Sequence, residues 1–156
     1  MINEIFTSAT IGVDAYKIRV ETHLENSNKG GFTVVGLPDN TVKESRDRVS
    51  AAIKNSGFVF PSSKKITINL SPADIKKEGS GLDLPIAIAL LTETGQIIPD
   101  KVKNFVILGE LSLDGKLRSV SGVLPITIEA SKHNFEGIII PKVNGDEAAI
   151  VGGVNV

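Results

Sequence analysis

Apolar and polar residues alternate along Tyr16-Lys17-Ile18-Arg19-Val20-Glu21, the period-two pattern of a half-buried strand. With residues 5–12 before it, this segment reads as a hairpin. A connection rich in Asn and Gly, residues 26–31, leads to a third strand, Phe32-Thr33-Val34-Val35, that stops at Gly36-Leu37-Pro38-Asp39. The chain is therefore expected to open with a small antiparallel sheet. The spacing then changes to helical: Val42, Ser45, Val49, Ala52, Ile53 and Ser56 share one face, and Gly57 supplies the stop. Thr41 and Glu44 have the form of a capping box, in which each side chain bonds the other's backbone amide. Lys43/Asp47 and Glu44/Arg48 are spaced as outward ion pairs.

Lys65-Ile66-Thr67-Ile68-Asn69-Leu70 alternates again. Residues 84–91 are apolar almost all round, a pattern that fits helix or strand. Pro85 decides for helix, because proline is tolerated in a first turn, with Asp83 placed as N-cap and Gly95 as terminator. Such a helix belongs in the interior. Phe105-Val106-Ile107-Leu108 predicts a buried strand, and residues 111–118 a hairpin turning at Asp114-Gly115. A helix capped by Ser121 or Gly122, with Pro125 in its first turn, runs to about His133. Gly137-Ile138-Ile139-Ile140 predicts a covered strand, and residues 144–151 a short helix. The apolar ending at Val156 reads as the approach to another element, so residues 1–156 are expected to be a single domain excised from a longer chain.

Composition narrows the function. The chain has 156 residues, a formal charge of −1 and no cysteine. One core suffices at this length, and thiol catalysis, disulfides and thiolate zinc sites are excluded. The charge disfavours an autonomous nucleic-acid binder and leaves local basic patches. No apolar run could span a bilayer, and the N-terminus lacks a secretory pattern, so a cytoplasmic location without membrane contact is expected. Gly115-Lys116 is followed by Leu117, so no phosphate-binding P-loop is visible. His23 and His133 each lack a second histidine at ligand spacing. Asp74, Glu78 and Asp83 could be drawn as a magnesium site, but Asp83 is already assigned as a helix cap, and no metal is expected. Chemistry concentrates in Lys77-Glu78-Gly79-Ser80-Gly81-Leu82-Asp83-Leu84-Pro85, where Ser80 would be a nucleophile if a base lay within reach.

That stretch, with Val35-Gly36-Leu37-Pro38-Asp39, Val42-Lys43-Glu44-Ser45, residues 51–57 and Asn69-Leu70-Ser71-Pro72-Ala73-Asp74, resembles the N-terminal domain of the magnesium-chelatase-like ComM proteins, also called the YifB family. Residues 109–118 and 139–142 are also similar to Lon proteases and to the C-terminal domain of RadA. The resemblance implies an α/β (α+β) fold with a mixed sheet and helices, like the Lon protease domain and the second domain of ribosomal protein S-five. It implies an attached AAA+ ATPase module as partner, binding ATP and magnesium and assembling as a homo-oligomeric ring, with a hexamer expected. ComM itself is implicated in DNA branch migration during natural transformation.

Laid on this sequence, the Lon pattern puts the serine nucleophile at Gly81, one place past Ser80, and its general-base lysine at Leu124. Lys132, the next lysine along that helix, lies about 12 Å further on. Catalytic residues are thus expected to be absent, with Gly79, Ser80, Gly81 and Asp83 forming a structural loop. The implied function is a non-catalytic accessory domain supporting ring assembly and DNA engagement. A Lon-type Ser-Lys peptidase and a metal-chelatase ATPase subunit are the alternatives. The RadA likeness suggests Lys43, Arg46, Arg48, Lys76, Lys77 and Arg118 as DNA or partner contacts.

Overall fold

The computed structural model describes residues 3–77 and 80–156. Its strands are β1 (Glu4–Ile11), β2 (Asp14–Asn26), β3 (Phe32–Val35), β4 (Lys64–Ser71), β5 (Phe105–Ile107), β6 (Glu110–Leu111), β7 (Leu117–Arg118) and β8 (Gly137–Ile139). Its α-helices are α1 (Asp39–Asn55), α2 (Asp83–Glu93), α3 (Val123–Lys132) and α4 (Gly145–Ala149). Six strands form one mixed sheet in the order β3-β4-β2-β1-β5-β8, and β6 and β7 make a separate hairpin.

The first hairpin forms as its alternation predicts, with β1 antiparallel to β2. Ile18 and Val20 are fully buried, whereas Tyr16, on the same face near the hairpin tip, is exposed. The third strand departs from expectation. β3 is not part of an opening antiparallel sheet; it pairs parallel to β4, which is antiparallel to β2. The cause is α1, whose 17 residues carry the chain back along the sheet as a crossover between parallel neighbours. α3 does the same between β5 and β8, which are also parallel.

The start of α1 also differs. Pro38 is the N-cap, Asp39 begins the helix, and no side chain caps it. Thr41 therefore lies inside the first turn, and the Thr41/Glu44 capping box does not form. Proline's fixed φ and an acidic residue facing the helix dipole supply the start instead.

Alternation in the strands builds two cores. Ile5, Ile18, Val20, Ile66, Ile68 and Leu70 pack with α1 and α2. Val106, Leu108 and Ile138 turn to the other face and pack with Val123, Ile126 and Ala130 of α3 and with Ala148. Ile107 points back into the first core, as strand parity requires. α2 is the interior helix its composition predicts, and Gly95 follows it at φ +76°. Among the described residues no helix is long and apolar enough to cross a membrane.

Candidate functional site

The glycine-rich stretch enters α2 through a 3-10 turn at Ser80–Leu82; Glu78 and Gly79 lie outside the described residues. The turn forms one wall of a cleft of about 260 Å³, lined also by Ser8, Thr10, Glu110, Ser119 and Ser121. Ser80 Oγ donates to Glu110 Oε2 at 2.7 Å. Gly81 is tightly held: its carbonyl accepts the Gly109 N–H at 2.9 Å, and a Cβ there would stand 2.9 Å from Leu108 Cδ1. Close approach of two loops, more than backbone freedom, explains glycine at this position. Leu124 lies in the first turn of α3, and its N–H donates to Glu147 Oε1 at 3.2 Å. Lys132 is the last residue of that helix.

Asp83 is not the cap of α2. Leu82 holds the N-cap position, and Asp83, 1% exposed, turns its carboxylate toward α1 and β6. Arg48 Nε and Nη2 donate to it at 2.6 and 3.1 Å, Ser45 Oγ at 2.9 Å, and the Leu111 N–H at 3.2 Å. A buried carboxylate needs such partners, and it finds them on two other elements. Ser45 on the apolar face of α1 was the visible signal, since a buried hydroxyl calls for an acceptor.

Arg48 is thereby committed. The hydrogen bond to Asp83 raises the guanidinium above its ordinary value, an effect opposed by desolvation. Lys77 is also turned inward, at 3% exposure, with Nζ donating to the Pro72 and Ile75 carbonyls at 2.5 and 2.9 Å. Burial lowers its pKa and Asp74 partly restores it. Both cations are held by these bonds, so Arg48 and Lys77 would have to give them up to serve as the DNA or partner contacts expected of them.

The four remaining cations are distributed over two clefts that border α1 and over β7. Lys43 and Arg46 line a cleft beside β3, Arg46 lying 3.4 Å from Asp47. Lys76 lines a wider cleft with Asn40 and Thr41 at the start of α1. Arg118 is on β7, paired in register with Glu110. Among the described residues no group of three His, Cys, Asp or Glu is placed to hold a metal ion.

A mixed sheet with crossover helices and a serine-lined cleft at the entry to α2 define a mixed α/β domain. The chain is 26% identical to the Lon protease of Trichlorobacter lovleyi over 124 residues, 76% of this chain and 15% of that protein. The family model described as subunit ChlI of Mg-chelatase matches residues 20–144. The chain belongs to this magnesium-chelatase-like family, within its ComM/YifB type. It is 46% identical to competence protein ComM of Haemophilus influenzae over 97% of its length, and 49% identical to YifB of Escherichia coli K12 over 96%. It spans 29% of the length of each of those two relatives.

Proposed function

We propose that this chain is a non-catalytic accessory domain of a larger, cytoplasmic, ComM-type AAA+ ATPase. The observation that carries the reading is likeness to ComM over nearly the whole chain, combined with glycine and leucine at the two Lon-type catalytic positions. ATP and magnesium belong to a motor module outside residues 1–156, and a homo-oligomeric ring, a hexamer, is the assembly it supports. DNA engagement falls to Lys43, Arg46, Lys76 and Arg118, the four suggested cations that are not turned inward. Only four in number, they give a weak contact per copy that a ring would multiply.

The test uses the full-length protein. Changing all four cations to alanine is expected to weaken DNA binding and flatten its salt dependence, each lost phosphate contact removing about 0.9 from the log–log slope. Unchanged affinity and slope would sink the DNA part of the reading while leaving the family assignment in place.

A second reading, a serine peptidase, draws on the Ser80–Glu110 hydrogen bond inside the cleft. Serine nucleophiles need a base that takes the proton and an oxyanion hole that holds the intermediate. The position that supplies the lysine base in Lon-type enzymes is Leu124. The chain is expected to leave casein and fluorogenic peptides intact and to resist serine-directed probes. Turnover abolished by Ser80→Ala would replace the accessory reading with this one.

A further inference from the structure

The two edges of the main sheet are finished differently. At β8 the chain's own tail closes the edge, with the Ile138 N–H donating to the Asn155 carbonyl at 2.8 Å and Asn155 Nδ2 donating to the Glu136 carbonyl at 3.1 Å. β3 has no such cover among the described residues. It runs parallel to β4 in the register Phe32↔Ile66 to Val35↔Asn69, and the Ile66 N–H donates to the Gly31 carbonyl at 2.9 Å. A parallel ladder uses alternate residues of each strand, so Gly31, Thr33 and Val35 bond toward β4. The N–H and C=O groups of Phe32 and Val34 point the other way, off the sheet, and no described residue bonds them. Edge strands are commonly blunted by charge, proline or a bulge. Phe-Thr-Val-Val carries none of these, and Val35 is 47% exposed.

The strip beside this edge is basic. Lys43 and Arg46 line, with Phe32 and Val34, a cleft of about 320 Å³ between the strand and α1. Arg46 and Lys64 line its continuation past Phe60, where Lys54 Nζ sits 5.7 Å over the ring. Against these cations stand Asp39, in the same cleft, and Asp47 beside Arg46. The strip therefore keeps a positive balance, and among the described residues Lys43 has no ion-pair partner.

We propose that β3 is a docking strand for an extended acidic segment of a partner polypeptide. The segment adds to the sheet beyond β3, its main chain bonding Phe32 and Val34, and its alternate carboxylates reaching Lys43 and Arg46. Main-chain pairing supplies affinity and the alternate side chains supply specificity, as in other strand additions. A second copy of β3 fits less well, because two-fold pairing would set Lys43 and Arg46 against their own equivalents. Nucleic acid satisfies the cations but offers no row of donors and acceptors at strand spacing. The docking strand requires no motor module, but it claims Lys43 and Arg46, which the DNA part of the accessory-domain reading also uses, so the two readings compete for that cleft.

The test takes the chain itself and a capped peptide of about eight residues alternating Glu and Val, long enough to overlay the strand. A Lys-Val peptide and a single-stranded oligonucleotide serve as the other arms. Hydrogen exchange at the Phe32 and Val34 amides is expected to slow roughly tenfold or more with the Glu-Val peptide at about millimolar concentration. The Lys43→Glu/Arg46→Glu double variant, altered only on the surface, is expected to lose roughly tenfold or more in affinity for it. The proposal is overturned by absence of binding, by protection elsewhere with these two amides unchanged, or by equal binding of the Lys-Val peptide. An oligonucleotide that displaces the peptide and protects the same amides would assign the strip to nucleic acid and also overturn it.

Discussion

Replacing Asp83 by alanine is expected to destabilise the fold by about 3–5 kcal/mol, the range for breaking one partner out of a buried ion pair. The carboxylate gathers Arg48 and Ser45 from α1 and the Leu111 N–H from β6. Its removal leaves the Ser45 hydroxyl and the Leu111 N–H without an acceptor and the Arg48 guanidinium, 23% exposed, unpaired and partly stripped of water. Equilibrium urea unfolding measures the loss, which is a large share of a typical domain's stability of about 5–15 kcal/mol. The Asp83→Leu/Arg48→Met double variant provides the control, because it removes both charges and fills the space. Its stability is expected within about 2 kcal/mol of the parent, as replaced buried pairs are often neutral. A single variant that loses under about 1 kcal/mol would show that water reaches the pair and shares its charge.

This network also shows where sequence reading ends. Periodicity marked β2, β4 and α1 because burial on one face imposes a repeat that neighbouring residues record, whereas α2 and α3 were legible from Pro85, Pro125 and the glycines beside them. The parallel pairing of β3 with β4 left no local trace, since Phe-Thr-Val-Val accepts either neighbour; only the 17-residue crossover fixes it. Asp83 immediately before Leu84-Pro85 has the local form of a cap, and the partners that make it an anchor lie 28 to 38 positions away. Lys77 illustrates the same limit with opposite sign. A lysine in a charged loop reads as solvated, yet the fold encloses it and turns its ammonium onto two carbonyls. Gly81 was legible as a loop glycine, while the reason for it, Leu108 packed at its Cα, belongs to tertiary structure. The candidate contacts Lys43, Arg46, Lys76 and Arg118 were legible as cations, and the clefts and strand that hold them were not.

Leu90→Ala is expected to destabilise by about 2–5 kcal/mol through a different mechanism. Leu90 is fully buried at the centre of α2, in the cluster that contains Ile18, Val20 and Ile68, and α2 contacts β1, β2 and α1. Alanine keeps the helix, being its best former, so the loss comes from apolar transfer and from the cavity left behind. Since no charge changes, the effect should be nearly the same at low and high salt, whereas the Asp83→Ala loss includes an electrostatic part that salt alters. Ile128→Ala supplies the comparison on α3: that side chain is 40% exposed, and truncation should change stability by no more than about 0.5 kcal/mol. Urea midpoints should therefore shift strongly for Leu90→Ala and hardly at all for Ile128→Ala, with similar slopes if both unfold in two states. Comparable shifts for the two would mean that α2 is not the interior helix of this domain, and the placement of the Ser80–Leu82 turn on it would lose its support.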